Sequence, residues 1–190
     1  MIDFFKKHIL SKEEKQKRRL NSALRDLNKT TLKGDVSFSK IPIESLYNLK
    51  KVEGTLDLDD CTLLKELPEN LEVEGSLLIA NCTSLKELPK TLKVKDGLFL
   101  IETLIKEIPF STINGDLSIL DCPNLNPFKH LLNIKGSCWI SLNTFFKFKG
   151  ENYNNLNVEG RCYIDCKRET MEDVSLLIPQ KKNNYYYNFK

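Results

Sequence analysis

The chain repeats itself. Residues 51–73 read K-V-E-G-T-L-D-L-D-D-C-T-L-L-K-E-L-P-E-N-L-E-V and residues 71–94 read L-E-V-E-G-S-L-L-I-A-N-C-T-S-L-K-E-L-P-K-T-L-K-V, so V-x-G-x-L-x-[LI]-x-x-C-x-x-L-K-E-L-P returns with a period of 21. A unit this short cannot bury its own apolar side; it becomes stable only by stacking on copies of itself. Its core, x-L-x-[LI] with Gly or Asp two places earlier, can be followed along most of the chain. The first apolar position falls at Val36, Leu56, Leu77, Leu98, Leu117, Cys138 and Cys162, and the second at Phe38, Leu58, Ile79, Leu100, Ile119, Ile140 and Ile164. The spacings are 20, 21, 21, 19, 21 and 24. Two places before the first position stand Gly34, Gly54, Gly75, Asp96, Gly115, Gly136 and Gly160, so six of the eight glycines share one register.

Alternation with period two makes each core a short strand with both named residues pointing inward. The glycine is expected to allow a tight turn into the strand. Leu67-Pro68, Leu88-Pro89 and Ile108-Pro109 are expected to form extended corners, since proline fixes its own φ and cannot donate a ladder bond. The fold expected is a solenoid of about seven coils over residues 34–166, with a parallel β-sheet on one face and few helices in the coils. An α-helical cap is expected over 1–33, and a C-terminal cap and tail over 167–190.

This unit resembles that of leucine-rich repeat proteins, in particular the short bacterial type with Leu-Pro in the variable half of each repeat. The likeness covers roughly residues 34–166 and is closest over 56–109. At the register of the family's asparagine ladder this chain has Cys61, Cys82 and Cys122, and Asn143 falls there too. The rhythm V-x-G-x-L-x-[LI] is also similar to the L domains of receptor ectodomains, whose secreted, disulfide-rich character nothing else here shares. The resemblance implies a binding scaffold that uses its strand face.

Cysteine usage points to a dry interior rather than to chemistry. Cys61, Cys82 and Cys122 recur at one repeat position, and Cys138 and Cys162 replace leucine at an inward one. There is no C-x-x-C pair, and Cys162-x-x-x-Cys166 lacks a neighbouring His or second pair, so no metal site is expected. Buried reduced thiols imply a reducing compartment, hence a cytoplasmic protein, with delivery into a host cytosol as the variant of that expectation.

The ends differ from the coils. Residues 2–28 read as helix, with stripes at Ile2, Phe5, Ile9 and at Leu20, Ala23, Leu24, Leu27, and with Ser11-Lys12-Glu13-Glu14 as a capping-box start between them. Residues 1–33 hold ten Lys+Arg against four Asp+Glu, which suits either a basic arm for nucleic acid or acidic lipid, or a cover for the open end of the solenoid. Residues 141–160, with Phe145, Phe146, Phe148 and Tyr153, read as a longer coil. Met171 to Pro179 read as a terminal coil or cap, and the Tyr185-Tyr186-Tyr187 tail as loose or folded back onto the sheet. Within the coils, Glu69, Glu72 and Glu74 are followed one period later by Lys90, Lys93 and Lys95, which stacking would bring side by side.

The residues between the inward positions face outward. They include Leu78, Phe99, Ile101, Leu120, Trp139 and Tyr163 over consecutive coils, an apolar-aromatic row roughly 20 Å long at strand spacing. Trp and Tyr in such a row act as energetic anchors of binding surfaces. Asp57 and Asp59, with Asp60, Asp116 and Asp165, form an acidic rim. These residues are the expected contact surface for a protein partner. The alternatives are nucleic-acid or anionic-surface binding through the basic N-terminal helices, homodimerisation through the sheet face, and cover of that face by the tail.

Catalysis is not expected. Phosphate-loop, zinc-protease, nucleophile-elbow and dinucleotide motifs are absent from the sequence. His8 and His130 are the only histidines and stand far apart in it. Cys166, the thiol least explained by the repeat, is the one candidate for a reactive role. No cofactor and no catalytic residue are therefore assigned. The sequence has no apolar run of the roughly 20 residues needed to span a bilayer. Net charge, 29 Lys+Arg against 26 Asp+Glu, is too balanced for the whole chain to be a general polyanion binder. An inhibitor, adaptor or effector of bacterial, phage or pathogen origin fits both the repeat type and a composition rich in Lys, Asn, Ile, Phe and Tyr.

Overall fold

From Phe38 to Ile164 every residue at the two named positions is buried, and Val36 at the start of the first repeat is half-buried. The chain can satisfy this for every repeat at once only by laying one short strand per lap beside the last. A computed structural model of the protein, describing residues 12–147, 155–166 and 185–189, has this form: a parallel β-solenoid of about six turns. Seven repeat strands enclose six laps, which reconciles that figure with the seven coils expected.

The front sheet runs through β2 (Val36–Ser37), β4 (Leu56–Asp57), β6 (Leu77–Ala80), β8 (Leu98–Ile101), β10 (Leu117–Leu120), β12 (Cys138–Ser141) and β14 (Cys162–Cys166). All neighbours are parallel, with Leu56 opposite Leu77, Leu77 opposite Leu98, and Leu98 opposite Leu117. Strand β15 (Tyr185–Phe189) adds to β14 in parallel register, so this part of the tail extends the sheet edge rather than lying across its face.

The second side of each lap carries a shorter strand. These form two sheets: β1 (Thr31–Leu32), β3 (Lys51–Val52), β5 (Glu72–Val73) and β7 (Lys93–Val94) in one, β9 (Thr112–Ile113), β11 (Leu132–Ile134) and β13 (Leu156–Val158) in the other. The break between β7 and β9 falls where the lap shortens to 19 residues and Asp96 replaces the repeat glycine.

That glycine has a different reason from the one expected. Among the repeat glycines only Gly34 has a positive φ, at 70°. Elsewhere the backbones of successive laps touch. A Cβ on Gly54 would lie 2.4 Å from the carbonyl carbon of Gly34, and one on Gly75 would lie 2.7 Å from that of Gly54. The left-handed turn occurs instead just after the first five front strands, at Lys40, Asp60, Asn81, Glu102 and Asp121. Asp and Asn tolerate that conformation better than other side chains.

The cysteines sit inside. Cys61, Cys82 and Cys122 are fully buried, and each thiol donates to a strand carbonyl of the preceding lap: Phe38 at 3.2 Å, Leu58 at 3.1 Å and Leu100 at 3.3 Å. Burial pushes Cys61 up to about 11 and Cys82 to about 12. Cys138 and Cys162, also buried, are partners on adjacent strands. Thr103, five residues after Leu98, occupies the ladder position of its own lap, is buried, and contacts Cys122 Sγ at 3.3 Å. Asn143 does not join this ladder. Helix α2 (Leu142–Lys147), where the sequence suggested only a longer coil, turns Asn143 to solvent. It buries Thr144, whose hydroxyl meets Ser141 Oγ at 3.0 Å. Its Phe145 packs edge-on against Phe128, with ring centroids 5.9 Å apart.

At the other end, helix α1 (Lys12–Leu27) buries Ala23 and Leu27 in one core with Leu32, Phe38 and Ile41 of the first lap. Arg19 Nη2 donates to Ser39 O at 2.8 Å. The stripe at Ile2, Phe5 and Ile9, along with His8, Phe148, Tyr153 and the segment from Met171 to Pro179, lies outside the described residues.

Candidate functional site

Parallel pairing without register slip carries one outward column straight across the front sheet. Ser37 stands opposite Asp57, Asp57 opposite Leu78, Leu78 opposite Phe99, Phe99 opposite Ser118, Ser118 opposite Trp139, and Trp139 opposite Tyr163. The next outward column pairs Ala80 with Ile101 and Ile101 with Leu120. Leu78, Phe99, Ile101, Leu120, Trp139 and Tyr163 are therefore brought together on five successive strands. All six are half-buried, neither folded into the core nor fully out in water.

Two local devices set the aromatic rings. Trp139 and Tyr163 stack, with centroids 5.3 Å apart and planes 13° from parallel. Phe99 lies down over Gly97: a Cβ there would come within 2.6 Å of its ring. Gly97 thus leaves room for the ring to lie flat, in the lap where Asp96 takes the repeat-glycine position. Ser118, on the open face yet only 5% exposed, sits between Phe99 and Trp139. A serine between two large rings leaves a shallow dip in an otherwise apolar row.

The acidic rim is ordered by hydrogen bonds. Asp57 accepts from Ser37 Oγ at 2.7 Å and from the Asp59 amide at 2.9 Å. Asp59 accepts from the Ala80 amide at 2.9 Å. Partial burial raises the Asp59 carboxyl above its ordinary value. The Ala80 amide opposes that shift, and the negative charges of Asp57 and Asp60 add to it. Asp165 belongs to β14 by its backbone.

The other flank is built differently. Across the Leu-Pro corners runs a groove of about 1030 Å³ lined by Leu67, Pro68, Leu88, Pro89 and Pro109 and by a Lys/Glu ladder. Two of its lysines pair from lap to lap, Lys65 with Glu44 and Lys129 with Glu107, each at 2.6 Å. On the second sheet Glu74 lies between Lys51 at 2.9 Å and Lys95 at 2.8 Å. The three Glu/Lys replacements thus pair otherwise than one to one: Lys95 reaches both Glu72 and Glu74, while Glu69 accepts from Thr91. Among the described residues no group of three or more His, Cys, Asp or Glu is placed to hold a metal ion, and no helix is long and apolar enough to cross a membrane.

Comparison with protein families, with curated proteins and with solved structures finds no match to this chain.

Proposed function

We propose that this chain is a non-enzymatic binding module of the leucine-rich-repeat type that engages a protein partner through its front sheet and works by occlusion or bridging, as an inhibitor, adaptor or effector. What supports this is the continuous row from Leu78 to Tyr163: six half-buried apolar or aromatic side chains in register on consecutive strands, anchored by a stacked Trp-Tyr pair. A rigid sheet presenting such anchors orders little on binding, so most of the apolar area it buries is available for affinity. The helix α1 serves as the N-terminal cap, with Ala23 and Leu27 closing the end of the stack. Five buried free thiols suit a reducing, cytoplasmic setting.

The test is the double substitution Phe99→Ser/Trp139→Ser. Both side chains lie on the outer face and outside the core, so the variant should keep the circular dichroism of the parent and still unfold cooperatively, at a somewhat lower temperature. Affinity capture from the native cytoplasm, with nuclease added, should yield a stoichiometric protein with the parent and lose it with the variant. Capture unchanged by the two substitutions would remove the sheet face from consideration. Nuclease-sensitive capture would point to the basic N-terminal region, and a parent chain that sediments as a dimer while its variant is a monomer would assign the face to a second copy.

A further inference from the structure

The two sheets hold their carboxylates in different company. On the second sheet and the Leu-Pro flank, Glu44, Glu53, Glu72, Glu74 and Glu107 are each within 4 Å of a lysine. Around the front row the partners are neutral. Asp57 is held by a serine hydroxyl and an amide, Asp59 by an amide, Asp96 by Ser76 Oγ at 3.2 Å, and Asp116 by the Ser137 amide at 2.8 Å. Glu102 and Asp121, at the left-handed corners beside the row, are exposed. Among the described residues none of these six carboxylates has an ion-pair partner; on this face only Asp60 does, with Lys40 at 3.8 Å.

Neutral donors fix the positions of these anions without neutralising them. The acids border the apolar row along both margins and at its β4 end. A chain of nearly balanced total charge therefore has an apolar strip in a negative frame. Burying that strip under an acidic or neutral partner would desolvate the frame with nothing to offset it. A partner carrying ammonium or guanidinium groups would supply the missing charge on contact.

We infer that the occupant of the front face is a cationic protein segment in which lysine or arginine side chains flank aromatic or aliphatic ones. This rests on the sheet face being the binding surface, and it names the chemistry of the partner. Asp57 and Asp59, two carboxylates on one face held only by neutral donors, mark the end at which a cation gains most.

The chain offers a reporter at the centre of this surface, since Trp139 is its only tryptophan. Random twelve-residue peptides lacking tryptophan would be selected by display against the full chain. Counter-selection would use Phe99→Ser/Trp139→Ser. Selected sequences should be enriched in Lys or Arg together with Phe, Tyr, Leu or Ile. The corresponding synthetic peptides should shift Trp139 emission saturably. The affinity should fall at least tenfold between low and physiological salt, and severalfold in Glu102→Gln/Asp121→Asn, whose side chains are exposed and whose melting transition should match the parent's. Enrichment of acidic or uncharged peptides that still shift Trp139 would overturn the cationic assignment and leave the sheet face as the binding surface. Peptides that bind the double variant equally well, with Trp139 emission unmoved, would overturn both.

Discussion

The front and second sheets are built from the same laps by the same chain, yet one is continuous and the other is split. Between β8 and β10 the front pairing keeps all four residues in register although the lap is 19 residues long. The shortage is absorbed at the back, where β7 and β9 do not pair. A cavity of about 270 Å³ opens there, lined by Leu92, Val94, Leu98, Phe110 and Ile113 among others. The inward pairs of the front strands, such as Leu98 with Leu100, hold a deep core that penalises any slip. The two-residue strands of the second sheet hold less and yield first. At the same place the glycine column is interrupted. The Asp96 amide reaches the Gly75 carbonyl at 3.3 Å, whereas the equivalent contacts at Gly75, Gly136 and Gly160 are 2.9, 3.0 and 2.9 Å. Register is thus enforced on one side of the solenoid and negotiated on the other.

The largest effect should come from filling the column where it is closed. Gly75→Val places side-chain atoms against the backbone of the preceding lap, and a loss of at least about 3 kcal/mol in urea unfolding is expected. Asp96→Gly, at the same repeat position on the seam, should change stability by no more than about 1 kcal/mol. Equal penalties at the two positions would mean that the seam is as tightly stacked as the rest. A gentler pair of substitutions compares the same side chain one lap apart. Val73 is fully buried between β3 and β7, whereas Val94 is half-buried beside the cavity. Val73→Ala should cost about 2 kcal/mol, and Val94→Ala less than half of that, because a side that is already open loses fewer contacts.

The front sheet was legible because its signal is short and repeated: Leu56, Leu77 and Leu98 recur at fixed spacing, and alternation assigns every intervening residue to the outer face. The outward row therefore followed once the inward one was known. What the residues did not disclose is how neighbouring laps share space. Gly54 looks like a turn glycine until the lap before it is in place. Thr103 hides because a hydroxyl is not a thiol, although its offset from Leu98 equals that of Cys82 from Leu77. The left-handed corners at Asp60, Asn81 and Asp121 carried a usable signal, Asp or Asn four residues after each strand begins, but Lys40 and Glu102 break it. Helix α2 interrupts the repeat over only six residues, too few for helical periodicity to show.

The smallest predicted effects separate the sheets by the sign of one carboxylate's contribution to stability on each. Glu74 is flanked by two ammonium groups, whose hydrogen bonds, that of Lys95 foremost, hold its carboxyl down to about 2 against 4.5 ordinarily. Its contribution is present in full above pH 4.5 and is lost as the pH falls through 2. Lys51 and Lys95 are both raised above 10.5, chiefly by hydrogen bonds to Glu74, so the same contribution fades again as the pH rises through their folded values. Asp59 behaves in the opposite sense. Burial, aided by Asp57 and Asp60, lifts its carboxyl above 3.8, so ionising it opposes folding as the pH rises through that raised value. Glu74→Gln should therefore lower the melting temperature slightly near neutrality, with the deficit closing below pH 4. Asp59→Asn, which keeps an acceptor for the Ala80 amide, should leave it unchanged or raise it, with any gain appearing only above the acid range. Melting curves of both variants against the parent between pH 2 and 8 decide the matter: parallel profiles would mean that the carboxylates of the two sheets feel the same surroundings, and the contrast between a neutralised back and an uncompensated front would fail.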